Sequence, residues 1–249
     1  MKISALILTK DEEEMIDGCL KQLNFVDQII VLDQNSQDNT VQIAKQYTRD
    51  IIKTQEEAFD KNRNILAKKA KNDWLLYVDA DERLDEDLVK EIKTATRENQ
   101  YAAYYFPRNN IILGKLLRHT GFWTDYVPRL FKRSKLVKWQ GKVHESPQII
   151  GDFGYFKAPI SHFTAQSMSE MLKKSIKWAK IEAELSLKNK HPQVTILRIV
   201  KAMFLEFISR YFVKKGFLDG TVGLIESIYQ AYHKAMVLTY LWELQTHDE

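Results

Sequence analysis

The sequence carries a single cysteine, Cys19, which excludes an intramolecular disulfide framework and fits a reducing compartment. Its expected place is the buried face of the first helix, as core filler. No run of about 18 uninterrupted apolar residues occurs, so nothing in the sequence is expected to span a bilayer. Internal repeats and low-complexity tracts are also missing. The chain opens on a strand-like run, Ile3 to Leu8, too short for a signal peptide and without a cleavage-site pattern, so a cytoplasmic location is expected.

What is present describes an ordinary globular protein. Of 249 residues, 45% are apolar and 28% charged, enough for one large α/β domain or a domain with an appendage. The formal charge of +4 is unevenly spread. Between Met168 and Gly216 stand eleven Lys/Arg against four Glu, a net +7, which leaves −3 for the remainder. That asymmetry points the C-terminal part toward an anionic partner, either nucleic acid or an anionic membrane surface.

The N-terminal half alternates strands and helices. Ile3–Leu8, Asp27–Asp33, Arg49–Lys53 and Trp74–Val78 read as strands. Helices are expected over Asp11–Leu23, from the Asn35–Asn39 turn to Tyr47, over Glu57–Lys71 and over Asp85–Glu98. Near-continuous apolar strands in β–α repeats predict a parallel sheet covered on both faces. After Gln100, Tyr101–Pro107, Val127–Lys132 and Leu136–Gln140 look like strands, while Asn109–Asp125 and Gly141–Pro159 read as long functional loops. From Ser169 the pattern is helical: Met168–Lys190, a break at His191-Pro192, then Val194–Val213 and Thr221–Leu244.

The chemistry-bearing feature is Asp79-Ala80-Asp81, directly after Trp74–Val78. It sets two carboxylates at the C-terminal edge of the sheet, where open α/β folds bind ligands. Hard oxygen donors there suit Mg²⁺ or Mn²⁺ shared with substrate phosphates, as in a site for a nucleoside-diphosphate compound. Asp33 ends the second strand, either to accept a hydrogen bond from a base or ribose or to cap a helix. Thr9-Lys10-Asp11-Glu12 ends the first strand in the same layer, so Thr9, Asp33 and Asp79 should share one crevice. Arg63, in the helix Glu57–Lys71, offers a bidentate phosphate contact if it faces that crevice. Glu145 and Asp125 compete for the role of general base. His119, His144 and His162 are candidates to bind metal or a leaving phosphate.

The helix from Val194 carries Ile196, Ile199, Val200, Met203, Phe207 and Tyr211, with Phe204, Leu205, Ile208 and Phe212 beside them. Arg198, Lys201, Arg210, Lys214 and Lys215 punctuate the stripe. It suits an interfacial helix on an anionic membrane, or an amphipathic helix packed on the catalytic domain or another subunit.

Together these residues resemble the family 2 inverting glycosyltransferases of the GT-A fold, nearest the lipopolysaccharide or lipooligosaccharide core β-glucosyltransferase branch. The resemblance runs through Ile3-Ser-Ala-Leu-Ile-Leu-Thr-Lys-Asp-Glu-Glu, Ile30-Val-Leu-Asp33 with Ser36, Asp38 and Thr40, and Asn62-Arg63-Asn64. It continues through Trp74 with Asp79-Ala-Asp81-Glu82-Arg83, Arg129-Leu-Phe-x-Arg133, Val143-His144-Glu145 and Gly216-Phe-Leu-Asp-Gly220. The resemblance implies that Thr9, Asp11, Asp33 and Arg63 bind the nucleotide, Asp33 toward a uracil-type base. It implies that Asp79, Ala80 and Asp81 form the diphosphate and metal motif, Asp81 being the more direct ligand and His162 a further one. Glu145 stands at the catalytic base. Two positions depart from the family pattern: Asn35 replaces the glycine of the Asp-x-Gly-Ser turn, and Asp11 replaces the usual Asn. Asn tolerates the left-handed conformation, so the turn should survive.

The expected architecture is therefore a GT-A (Rossmann-like) α/β domain over residues 1–165 with a mostly parallel sheet, followed by a helical C-terminal extension over 166–249. The implied reaction is transfer of a hexose from a nucleotide sugar, UDP-glucose, to a cell-surface glycan or lipid-linked acceptor. The enzyme would stand at the inner face of the cell membrane, with the C-terminal helices serving the membrane surface or a homo-oligomer. A sugar-phosphate nucleotidyltransferase would also use paired carboxylates and metal, but Leu8–Glu14 contains no glycine for a phosphate loop. A non-catalytic binder of an anionic polymer would explain the basic helices and leave the acidic crevice without a role. No recognition motif for nucleic acid interleaves those basic residues.

Overall fold

The computed structural model describes residues 1–122, 125–141 and 145–247. The chain forms two compact units, Met1–Arg108 with Asp125–His162, and Asn109–Thr124 with Phe163–Glu249. In chain order, β1 (Ile3–Thr9), α1 (Ile16–Lys21), β2 (Gln28–Asp33), α2 (Thr40–Ala44) and β3 (Ile51–Lys53) come first. They are followed by α3 (Phe59–Lys69), β4 (Trp74–Tyr77), β5 (Glu82–Leu84) and α4 (Glu86–Glu98). Then come β6 (Ala103–Ile112), β7 (Lys115–Leu116), β8 (Asp125–Lys132), β9 (Leu136–Gln140), β10 (Ser146–Ile149), β11 (Phe153–Tyr155) and β12 (Ile160–Ala165).

In the first unit β3, β2, β1 and β4 lie side by side and parallel, with Thr9 opposite Asp33 and Asp33 opposite Lys53. Successive side chains on a strand point to opposite faces, and here both faces are covered. Ile3, Ala5, Ile7, Val31 and Leu76 join Ile16 and Leu20 of α1 and Leu88 and Ile92 of α4. Leu6, Leu8, Ile30, Leu32, Leu75 and Tyr77 pack with Leu66 of α3, Phe131 and Trp139. This two-sided burial is why the strands read as unbroken apolar runs. Cys19 is wholly buried on α1, where burial pushes its thiol pKa up. Beyond the parallel core, β8 pairs antiparallel with β4, β6 with β8, and β5 with β12. β9 and β10 form a separate antiparallel ribbon.

The structure departs from the sequence expectation at both ends of the crevice. α1 begins at Ile16 rather than Asp11. Asp11 is left-handed (φ 53°), which a right-handed helix cannot include, and the amides of Asp11, Glu12 and Glu13 donate to the side chains of Ser36, Thr40 and Asp38. The segment 141–159, expected as loop, contains β10 and β11. β5 is three residues long, too short to announce itself by periodicity.

The second unit holds α5 (Met168–Lys188), α6 (Ile196–Ile208), a π-helical turn (Ser209–Val213), a 3-10 turn (Gly216–Asp219) and α7 (Gly220–His247). Ser167 and Thr195 cap α5 and α6 through their hydroxyls. Ala183 of α5 packs with Leu238 and Leu241 of α7, and Ser175 bonds the Tyr229 hydroxyl at 2.7 Å. The segment 109–122, expected as loop, carries the end of β6 and the short β7 paired with it, and it belongs here. The Asp219 carboxylate accepts the amides of Arg118 and His119 at 3.3 and 2.8 Å, and Thr120 donates to the Lys214 carbonyl. Among the described residues, no helix is long and apolar enough to cross a membrane.

Asn35 adopts φ 60°, the left-handed conformation expected for the turn after β2. Replacing it with valine should cost about 1–2 kcal/mol, since a branched side chain is strained there, whereas Asn35→Gly should be neutral or mildly stabilising. Urea midpoints of the two variants measure this; equal midpoints would show that the turn relaxes to another conformation.

Candidate active site

The crevice at the C-terminal ends of β1, β2 and β4 is built within the first unit. Thr9 and Asp33 are adjacent strand ends, both buried. The Asp33 carboxylate accepts the amide and hydroxyl of Ser36. Ser36 in turn accepts the Asp11 amide at 2.9 Å, while Asp11 accepts the Gln37 amide at 2.7 Å. Thr9, Asp11 and Asp33 thus share one hydrogen-bonded floor. The Thr9 hydroxyl oxygen is buried without a hydrogen-bond partner in the protein. Buried polar atoms are nearly always satisfied, so an unsatisfied one at this edge marks a place for a ligand or water.

Asp79-Ala80-Asp81 follows β4 in a tight turn closed by Glu82: the Glu82 amide donates to the Asp79 carbonyl at 2.9 Å, and the Glu82 carboxylate accepts the Asp79 amide at 3.0 Å. Arg83 ties the turn to the start of α1, donating to the Ala80 and Met15 carbonyls, each at 2.8 Å. Two arginines meet the Asp79 carboxylate: Arg63 of α3 at 3.4 Å and Arg129 of β8. Arg129 also binds the fully buried Glu82 carboxylate at 2.6 Å. Burial alone would raise the pKa of Asp79, but the Arg129 and Arg63 guanidiniums outweigh it and hold the carboxyl well below the usual range. Its electrostatic stabilisation is therefore present above the ordinary carboxylate range and is lost only as pH falls into strong acid. Glu82 shifts the other way, because burial dominates there and the neighbouring Asp79 charge adds to it.

Arg63 is itself buried, its guanidinium 4.9 Å from the Trp139 ring centroid and 5.4 Å from that of Tyr77. Its Nε donates to Glu145 at 3.0 Å, so one guanidinium links Glu145 to the acidic turn. Asp125 takes a different partner, Arg108, on the neighbouring strand at 2.8 Å. Of the histidines, His162 on β12 places Nε2 3.2 Å from the Asp81 carboxylate, whereas His119 pairs with Asp219 in the helical unit. His144 lies outside the described residues.

A divalent cation can be tested against this arrangement. Cis ligands about 2.1 Å from an octahedral cation stand about 3.0 Å apart. The Asp81 oxygen and His162 nitrogen, at 3.2 Å, already have that spacing. No group of three or more such ligands exists among the described residues, and both Asp79 oxygens have arginine partners. Asp81 and His162 would therefore be the residues to hold a cation here, which would lend positive charge beside the acidic turn.

Glu82 and Arg129 are functional residues that the sequence patterns do not single out. Arg129 carries a signal, a charge among the apolar residues Val127, Leu130 and Phe131, whereas Glu82 stands between Asp81 and Arg83 and carries none. Trp139 gave no signal, because its place over Arg63 comes from a ribbon distant in sequence. Arg129→Met should cost about 3–5 kcal/mol by leaving Glu82 uncompensated. Adding Glu82→Gln should recover part of it. A loss under about 1 kcal/mol in urea unfolding would mean that the pair is solvated rather than buried.

Comparison with known proteins identifies the family. The family described as glycosyl transferase family 2 matches residues 4–158. An uncharacterized glycosyltransferase of Rickettsia typhi is 24% identical over 98% of this chain and 87% of its own length. The glycosyltransferase SunS of the Bacillus subtilis SPbeta prophage is 29% identical, over 58% of this chain and 34% of its own. Among solved structures, residues 1–349 of Staphylococcus aureus TarS are similar at 13% identity and a TM-score of 0.49, covering 100% of this chain and 92% of that one. The architecture is the GT-A fold, with a mixed α/β sheet whose core is parallel and a helical C-terminal region. With more than half its length matched, from the second residue of β1 to beyond β11, the chain belongs to glycosyl transferase family 2.

Proposed function

We propose that this glycosyltransferase moves a hexose, glucose from UDP-glucose, onto a lipid-linked or cell-surface glycan acceptor with inversion, as in the lipopolysaccharide core β-glucosyltransferase branch. In this reading residues 1–165 carry the catalytic machinery, and 166–249 hold the enzyme at the inner face of the membrane. The observation that carries it is the meeting of Arg63, Asp79 and Glu145 beside the Asp81–His162 pair.

Each residue acquires a role from its surroundings. Thr9, Asp11 and Asp33 form the floor for the nucleoside, Asp33 toward the base, and the unsatisfied Thr9 hydroxyl is ready to bond it. Asp81 and His162 would hold Mg²⁺ or Mn²⁺, which when bound stabilises the charge gathering on the diphosphate leaving group. Asp79 is kept ionised by Arg129 and Arg63 and orients the latter. Arg63 is the group a diphosphate would recruit, because guanidinium matches phosphate oxygens bidentately. Recruitment weakens its bond to Glu145. The released carboxylate then takes the proton from the acceptor hydroxyl as that oxygen attacks the anomeric carbon. Glu145 is favoured over Asp125 because it shares a guanidinium with the Asp-x-Asp turn, whereas Asp125 is held by Arg108.

Two outcomes test this. Asp81→Ala should abolish divalent-dependent turnover of UDP-glucose while leaving the circular dichroism spectrum unchanged; full wild-type turnover in excess chelator would remove the cation from the mechanism. Glu145→Gln should lower kcat by about 10²-fold or more with saturable UDP binding retained, and Asp125→Asn should cost far less. The reverse ranking would transfer the base role to Asp125.

A further inference from the structure

We propose that the exposed apolar face of α6, continued by the turns at Ser209–Val213 and Gly216–Asp219, docks on an anionic lipid surface. This rests on the lipid-linked acceptor reading above and specifies which part of the chain meets the lipid. The helix has 13 residues and none of them is buried. Ile196 is 83% exposed, Leu197 76% and Phe204 61%, and beyond the helix Val213 is 73% and Leu218 57% exposed. Single exposed apolar side chains are ordinary, but a contiguous set of this size on a soluble surface marks an interaction site. On its inner side, Ile199 and Ala202 pack against the cluster around Ala183 and Leu241.

The face is presented by a well-anchored helix rather than a loose one. Thr195 caps its first turn, Arg198 donates to the Pro192 carbonyl at 2.8 Å, and Arg210 donates to the Thr120 carbonyl at 2.9 Å. Charge decides which occupant fits. From Lys190 to Leu218 the chain has six Lys/Arg and one acid, Glu206, which is bound to Arg210 at 2.6 Å. Lys201, Lys214 and Lys215 remain exposed beside the apolar residues. A two-fold contact with a second copy would set the same basic patch against itself, because Glu206 is already held by Arg210 and the buried Asp219 by the amides of Arg118 and His119. Anionic headgroups supply that missing charge, while Leu197 and Phe204 enter the acyl boundary. Interfacial helices of this composition bury their apolar face about 5–10 Å deep. Since no described helix can span a bilayer, the helix would lie on the surface.

Cosedimentation of the full chain with phosphatidylcholine vesicles, with and without phosphatidylglycerol, tests the proposal. Wild-type protein should bind the phosphatidylglycerol vesicles at least about tenfold more tightly, and added salt should weaken the binding. Leu197→Glu with Phe204→Glu should lower binding at least about tenfold, with the circular dichroism spectrum and hydrolysis of UDP-glucose unchanged. Lys201→Gln with Lys214→Gln and Lys215→Gln should remove the preference for phosphatidylglycerol. Absence of wild-type binding to either vesicle would overturn the proposal, as would a solution dimer that Leu197→Glu with Phe204→Glu dissolves. Failure of UDP-glucose turnover with vesicle binding intact would instead overturn the donor assignment alone.

Discussion

Arg129 is the constraint on which the crevice depends. A guanidinium and the Glu82 carboxylate are removed from water together, and Asp79 completes the set at the edge of the cleft. Burying one charge alone would be prohibitive, so the three must assemble in a single geometry. That requirement joins β8, which supplies Arg129, to the turn after β4, which supplies the acids. The antiparallel strand beside the parallel core is thereby part of the site and not only of the scaffold.

The same logic governs the nucleotide side of the cleft. Two residues in the left-handed conformation, Asp11 and Asn35, let the ends of β1 and β2 close on each other through Ser36 and Gln37. Both are residue types that tolerate this conformation at modest cost. Asp11 and Asn35 therefore stand where the backbone takes the left-handed conformation, on either side of Asp33.

Much of this was legible in the chain itself. The four parallel strands stood out because burial on both faces forces continuous apolar runs, and α4 because Asp85 supplies a cap with acids behind it. The convergence of Thr9, Asp33 and Asp79 followed from those strand ends. Other features depend on contacts distant in sequence. The segment before α1 is held by side chains about 25 residues away, which bind the amides of Asp11, Glu12 and Glu13. The Asn109–Thr124 segment belongs with the helices because Asp219, about a hundred residues later, binds its backbone. The aromatic setting of Arg63 requires Trp139 from a separate ribbon. The wide stripe on α6 was visible as a pattern, but a pattern cannot distinguish a face packed in a core from one open to solvent.

The contact between Trp139 and Arg63 has an optical consequence. An indole held 4.9 Å from a guanidinium carbon and almost wholly shielded from water experiences a strong, fixed local field. Any anion that draws the guanidinium aside changes that field and so shifts the emission of this one tryptophan. With four other tryptophans in the chain, the difference between the wild type and a Trp139→Phe variant isolates that shift.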